Sequence, residues 1–329
     1  MTGFRLITDD PLPSPARQEP PSGRPRLRIG AVQCAWDPDP EAHRAALAEG
    51  IRIATGEGAG IVCLQELTLS PYFAVVPDAQ EASRERAEVV GDGPTTAFAR
   101  EMAASTGAHV HASLYEHDPD GPGFNTAIVV APSGEVVART RKLHIPRFPY
   151  YHEDRYFAPG DTGFPVVEIS GARFGFPTCW DQWNPELARI YSLEGAEILV
   201  YPTAIGSEPD LGDFDTMPLW RQMITANGLA NATFMVAINR IGTEGPLTFY
   251  GSSFVSDPYG RVVVEAPRDE PTVLVADLDL DQRRDWMTFG LFETRRPDQY
   301  RRLVEDGGSA DAARPPGAAI NSIGKDDDA

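Results

Sequence analysis

A strand–helix–strand succession occurs twice along this chain, and no other feature constrains the fold as much. In the first occurrence, LRIGAVQCAW from Leu27 reads as a buried strand. Ala42, Ala45, Ala46, Leu47 and Ile51 then recur at helical spacing until the glycines of GEG stop the pattern, and the apolar run GIVCLQEL follows at once. The second occurrence begins with strands FPVVEIS and ARFGFPT. It passes through the helix NPELARIYSLEG to AEILVYPT, then through a helix within 215–232 to FMVAINR. Strands joined through a helix pair in parallel, so the chain reads as α/β. Two such successions favour two sheet layers flanked by helices over a single six-stranded sheet. Between them lie helical stretches at 81–90 and 94–106, the strand AHVHASLYE ending at Glu116, and a hairpin of NTAIVVAP and GEVVARTRKL turning at Ser133-Gly134. The strands GSSFVSDPYGRVVVEA and TVLVADLDL close the pattern, and no glycine-rich phosphate loop interrupts it.

The two ends fall outside that pattern. Residues 1–26 are dense in proline with little apolar periodicity, and residues 305–329 are small, polar and acidic. Both are expected to be flexible tails on one domain spanning 27–304, because neither holds enough apolar surface to offset the entropy of ordering. The net charge of −19 argues against nucleic acid as a partner, since phosphate binding needs a basic surface. No apolar run reaches the roughly 18–20 residues of a membrane span, and no basic-then-apolar leader opens the sequence, so a cytoplasmic protein without membrane partners is expected. The three cysteines, Cys34, Cys63 and Cys179, suit neither a disulfide framework nor a zinc site.

Of these cysteines, Cys34 and Cys63 sit inside apolar strands and read as buried fillers. Cys179 lies in GFPTCWDQWNPELAR, between a strand and a helix that Asn184 and Pro185 open and Gly195 ends. A strand-to-helix turn directs a side chain toward backbone N–H groups and the positive end of a helix, the setting of a reactive thiol. A histidine partner would have to come from His144 or His152 in the long aromatic loop at 144–163. Glu66, at the end of GIVCLQE, is the alternative base, because carboxyl ends of strands in open α/β sheets line the ligand crevice. Lys142 closes the strand GEVVARTRK in the same manner.

CLQELTLSPYF around Glu66, RKLHIPRFPYYHEDRYFAPGDTGF after Lys142 and PTCWDQWNPELAR around Cys179 occur in an order that resembles the nitrilase (carbon-nitrogen hydrolase) superfamily, from about Leu27 to Leu303. EILVYPTAIGSEP, TFYGSSFVSDPYG and FGLFETRRPDQY are similar to its N-carbamoylputrescine amidohydrolase group and, more distantly, to β-ureidopropionases. The resemblance implies a four-layer α-β-β-α sandwich that forms a homodimer or a larger homo-oligomer, acts on a small amide or ureido substrate, and needs no metal or organic cofactor. It implies Cys179 as nucleophile, Glu66 as general base and acid, and Lys142 with the backbone N–H of Trp180 as oxyanion donors. It assigns Glu116 as a second glutamate positioning the substrate or Lys142.

The same likeness nominates Tyr72, Arg147, Tyr151, Glu153, Trp180 and the turn Ala204-Ile205-Gly206 as substrate contacts. The loop HIPRFPYYHED departs from the carbamoylputrescine pattern at Arg147, usually acidic there, and at Tyr150, usually glycine. An arginine would suit a substrate carboxylate, as in an N-carbamoyl amino acid, so that class and simple ω-amides stay beside N-carbamoyl amines as expectations. A non-catalytic scaffold or an acyltransferase of the same fold is the reading from a different class.

Overall fold

The computed structural model describes residues 3–79 and 83–305. Its first half builds one sheet from β1 (Arg5–Asp9), β2 (Leu27–Gln33), β3 (Ile61–Cys63), β4 (His109–Glu116), β5 (Phe124–Val130) and β6 (Val136–Arg141), with helices α1 (Pro40–Gly56) and α2 (Pro94–Thr106) in the crossovers. Helix α1 starts where expected, because the Asp39 side chain accepts the N–H groups of Glu41 and Ala42 and Pro40 occupies the first turn. The second half contributes β7 (Val167–Ile169), β8 (Ala172–Gly175), α3 (Pro185–Leu193), β9 (Ile198–Pro202), β10 (Gly206–Ser207), α4 (Met217–Asn231), β11 (Phe234–Ile238), β12 (Ile241–Glu244), β13 (Leu247–Tyr250), β14 (Phe254–Ser256) and β15 (Val262–Glu265). β16 (Thr272–Leu278) then returns to the first sheet, and the short helix α5 (Asp281–Met287) follows.

The first sheet runs β1-β16-β2-β3-β4-β5-β6 and the second β15-β14-β11-β9-β8-β7. In each, three central strands are parallel and their outer neighbours antiparallel to them, β2, β3 and β4 being central in one and β11, β9 and β8 in the other, while β1 joins β16 in parallel at the edge of the first sheet. Ile29, Ile61, Ala127 and Leu274 of the first sheet pack against Phe174, Ile198, Val236 and Val255 of the second. On the outer faces, α1 and α2 cover the first sheet through Leu47, Ile51, Phe98 and Met102, and α3 and α4 cover the second through Leu187, Tyr191, Trp220 and Ile224. The expected α-β-β-α sandwich is therefore present. Its two sheets bring the carboxyl ends of β3, β6, β8, β9 and β11 toward one end of the molecule.

Three differences from the sequence reading concern the periphery. The N-terminal segment is built into the domain: β1 pairs in parallel with β16, Arg17 pairs with Asp279 at 2.5 Å and Asp285 at 3.0 Å, and Arg24 reaches Glu197 at 2.7 Å. Its order comes from backbone pairing at an open sheet edge and from charged partners about 170 to 270 residues away, neither of which local composition reports. A small antiparallel sheet, β10-β13-β12, was not expected, because its strands of two to four residues are too short to show a period. The helix expected over 81–90 lies partly outside the described residues, and from Glu85 the chain turns toward an isolated bridge between Glu88 and Glu116. Residues 306–329, most of the expected acidic tail, also lie outside them. Among the described residues no helix is long and apolar enough to cross a membrane.

Candidate active site

Three residues past the end of β3, Glu66 is wholly buried, and the next residue, Leu67, takes a left-handed backbone (φ 48°) that turns the chain away from the sheet. One carboxylate oxygen, Oε1, accepts hydrogen bonds from Asn125 Nδ2 at 2.7 Å and from Lys142 Nζ at 2.9 Å. The other, Oε2, has no donor among the described residues. Lys142 follows β6 directly and is held on both sides: its N–H donates to Asn125 O and its carbonyl accepts from Gly160, each at 2.8 Å. Gly160 is required there, since a Cβ would come within 2.3 Å of the Arg141 carbonyl oxygen.

The Lys142 ammonium also donates to both oxygens of Glu153, at 2.8 and 2.7 Å, and Tyr72 caps Glu153 Oε1 through its hydroxyl at 2.7 Å. Lysine and both glutamates are fully buried. Burial pulls the lysine down, but the facing Cys179, Glu153 and Glu66 outweigh it and hold the ammonium above its ordinary range. Burial pushes the Glu153 carboxyl up, Lys142 opposes that push, and Glu66 adds to it.

Cys179, four residues past the end of β8, begins a short 3-10 turn, Cys179–Trp183, and has a left-handed backbone (φ 43°). Asp181 secures this turn. Its Oδ2 accepts the Thr178 N–H at 3.0 Å, and its Oδ1 accepts both the backbone N–H and Nδ1 of His144, each at 2.8 Å, which ties the chain just past Lys142 to the cysteine turn. Burial raises the thiol well above its ordinary range, Glu66 and Glu153 raise it further, and Lys142 and a backbone hydrogen bond from Ala204 pull it back. These surroundings disfavour a bare thiolate, and Glu66 Oε2 is an acceptor without a donor among the described residues in the same buried cluster. Trp180, in the first turn, has an N–H of the kind that finds no acceptor within its own helical turn.

Cys179 opens onto a cavity of about 170 Å³ lined by Pro146, Phe148, Tyr151, Trp180, Trp183, Ile205, Glu208, Leu211, Thr216 and Leu219. Its walls are apolar except at one pole. There the buried Glu208 carboxylate accepts from Tyr151 OH at 3.4 Å and from Thr216 Oγ1 at 3.3 Å, and burial raises its pKa.

The structure thus gathers Glu66, Lys142, Glu153 and Tyr72 into one hydrogen-bonded cluster and places Cys179, Trp180, Tyr151 and Ile205 on the adjoining cavity. Ala204 lies behind that wall and Gly206 donates to Tyr151 OH at 3.1 Å. Two expectations are corrected. Glu116 makes no bond to Lys142; Arg139, Arg141 and Thr126 occupy its carboxylate, and Glu153 is the second acid on the lysine. Strand alternation explains the difference, because Glu116 projects beside the β5 and β6 side chains Thr126 and Arg141 rather than past the sheet end. Arg147 does not line the cavity although its neighbours Pro146 and Phe148 do; its side chain is 60 % exposed and faces Asp154 at 3.6 Å. His144, bound to Asp181, is no partner of the thiol. Asn125, Asp181 and Glu208 were not anticipated; Asn125 and Asp181 are polar residues at a strand start and a turn, positions where solvent exposure is the default expectation.

Residues 28–288 match the family model for the carbon-nitrogen hydrolases. The chain is 39 % identical to an N-carbamoylputrescine amidase of Arabidopsis thaliana over 85 % of its own length and 96 % of the relative's. It is 34 % identical to a citrullinase of Francisella tularensis, covering 84 % of this chain and 98 % of that one. A solved carbon-nitrogen hydrolase from Helicobacter pylori superposes with a TM-score of 0.76 at 31 % identity, over 85 % of this chain and 99 % of the other. With a thiol, a buried carboxylate and an ammonium converging at the strand ends of the matching fold, the chain belongs to the carbon-nitrogen hydrolase family and is a hydrolase of non-peptide C–N bonds.

Proposed function

We propose that this enzyme hydrolyses an N-carbamoyl derivative of an aliphatic amine whose far end carries a second, cationic amine, N-carbamoylputrescine being the simplest such compound. The observation that carries this reading is the buried Glu208 carboxylate in an otherwise apolar cavity shared with Cys179. Ile205, Leu211, Leu219 and Trp183 suit a polymethylene chain, and Glu208 with its two hydroxyl neighbours suits an ammonium group. A substrate carboxylate would meet Glu208 and find no arginine, since Arg147 lies outside the cavity. The amidases at 37–39 % identity carry names that agree with this substrate class.

In this reading Glu66 Oε2 takes the Cys179 proton as the sulfur adds to the ureido carbon. The oxygen that becomes negative is met by Lys142 and the Trp180 N–H. Glu66 returns the proton to the departing nitrogen, the C–N bond breaks, and ammonia leaves a carbamoyl thioester. Water, deprotonated by Glu66, then adds to that carbon and expels the sulfur, which recovers its proton. The resulting carbamate loses carbon dioxide and frees the amine. Glu153 and Tyr72 hold the lysine in place throughout. The reading extends to a homodimer, supported by the exposed Leu193, Leu229 and Leu303 near the α3–α4 face and checked by sedimentation.

Ammonia release from N-carbamoylputrescine, citrulline, N-carbamoyl-β-alanine and a simple amide tests the substrate class. Glu208→Gln is expected to raise KM about 10-fold or more for N-carbamoylputrescine, the worth of a charge-assisted contact, and to leave the uncharged N-butylurea unchanged. Preference for N-carbamoyl-β-alanine, or equal effects on both ureas, would overturn the assignment.

A further inference from the structure

Leu67, next to Glu66, and Cys179 itself both have left-handed backbones, and a non-glycine residue with positive φ persists only where its surroundings over-determine it. Asp181 secures the Cys179 turn, whereas what holds the Glu66 turn, and the backbone wall facing the sulfur, comes from the residues immediately past β11, a strand that supplies no reacting group. Arg240 is wholly buried and inserts its guanidinium under the Glu66 turn: Nη2 donates to the carbonyl oxygens of Glu66 at 2.7 Å, Leu67 at 3.2 Å and Ser70 at 3.2 Å. Its Nη1 pairs with Glu244 at 2.5 Å, and the second oxygen of Glu244 accepts the Tyr72 N–H at 2.7 Å. One ion pair therefore holds the backbone of Glu66 and that of Tyr72, whose hydroxyl fixes Glu153.

Asn239, also fully buried, does the corresponding work on the opposite wall. Its Oδ1 accepts the Ile205 N–H at 3.0 Å and its Nδ2 donates to the Ile205 carbonyl at 2.9 Å, so its side chain clasps that residue as a neighbouring strand would. Ile205 lines the cavity, and the preceding Ala204 is the residue whose backbone bonds the thiol. A further bond from Nδ2 to Gly251 O at 3.0 Å and the Arg240 N–H on Oδ1 at 2.9 Å leave the amide no rotational freedom.

We propose that Asn239 and Arg240 act as a paired positioning element, Arg240 setting the reach of Glu66 toward the sulfur and Asn239 setting the backbone wall that faces it. The pair rests on the reading of Cys179 as nucleophile and Glu66 as base, and is independent of which amide is cleaved. Its test is therefore the rate of Cys179 alkylation by iodoacetamide across pH 5–10, beside kcat and KM for the best substrate. Arg240→Lys keeps the charge but loses the fork that reaches three carbonyls; Asn239→Asp keeps the shape but loses both donors. Each is expected to slow alkylation at pH 7 and to lower kcat by about 100-fold, the cost of an ångström-scale misplacement, with KM changed less than about threefold. The alkylation–pH curve should move toward that of Glu66→Gln.

A wild-type pH curve in both variants, or a fall in rate by one factor at every pH together with a lower melting temperature, would overturn the proposal. Alkylation of Glu66→Gln that is indistinguishable from wild type would instead remove the base assignment itself, so the two failures are told apart. Should Arg240→Lys not fold, Glu244→Gln, which takes the counter-charge from Arg240, is read by the same curve.

Discussion

Among the described residues Lys142 is the only cation bonded to two fully buried carboxylates, and methionine removes it while preserving an unbranched side chain of similar length. Glu66 is left with Asn125 and Glu153 with Tyr72 as side-chain hydrogen-bond donors. Stripping one partner from a buried ionic cluster costs about 3–5 kcal/mol. For roughly 300 ordered residues, whose unfolding entropy is about 0.6 kcal/mol per kelvin, this lowers Tm by about 5–8 °C. The pH dependence carries more information than the drop itself. In the wild type the lysine is held above its ordinary range, so its contribution is complete below about pH 10.5 and is lost only as pH rises beyond that. Burial already holds the Glu153 carboxyl above its ordinary value in the wild type, with Lys142 opposing that push, and Lys142→Met removes the opposition. An acid raised in this way stays protonated and harmless at low pH and costs stability as pH rises past about 4.5. Differential scanning calorimetry of both proteins from pH 4.5 to 8 should show the gap in Tm widening with pH. The Glu153→Gln change added to Lys142→Met should close part of it. Ammonia release should fall about 100- to 1,000-fold, as for the loss of an oxyanion donor. A gap that is constant with pH, or below about 1 °C at pH 7.5, would refute the lysine-paired arrangement of the two acids.

Glu116→Gln removes a carboxylate that serves Arg139, Arg141 and Thr126 rather than the reacting cluster; kcat should stay within about twofold and Tm should fall by a few degrees, measured by ammonia release and scanning fluorimetry. His111 is buried, stacks on Phe176 at 5.3 Å and has no partner for either ring nitrogen among the described residues. Burial lowers its pKa to about 3, so the unfolded chain takes up a proton near pH 6.5 that the folded one refuses, and stability is lost as pH falls between those values. His111→Leu should therefore gain on wild type by about 2–3 kcal/mol at pH 4.5 relative to pH 7.5, read from urea unfolding at both. Deleting residues 1–26 bares β16 and leaves Asp279, Asp281 and Asp285 without Arg17 and Ser22; Tm should drop by several degrees, most at low salt, and an unchanged Tm would show that the segment adds nothing to the fold.

The sequence by itself pointed to two sheet layers flanked by helices, and its likeness to the nitrilase superfamily pointed to the four-layer sandwich and to the groups proposed to react. Parallel crossovers show as an alternation of apolar strand and periodic helix, a local signal, and Glu66, Lys142 and Cys179 each end a strand or open a turn that can be read from its immediate neighbours. What it did not determine is which side chains meet. Glu116 and Glu153 are both acids near the lysine in sequence. Only the pleat of β4 and the path of the 144–163 loop decide that the first faces two arginines and the second the ammonium. Arg147 sits in a suggestive motif yet faces Asp154 outside the cavity, while Glu208, in a loop with no pattern, supplies its polar pole. Asn239 and Arg240 read as the polar end of a strand until the two sheets pack and bring Glu66, some 170 residues earlier in the chain, above them. The order of residues 3–26 has the same origin. Periodicity records how one element buries its own face, whereas these contacts are made between elements, and their partners exist only once the sheets have packed.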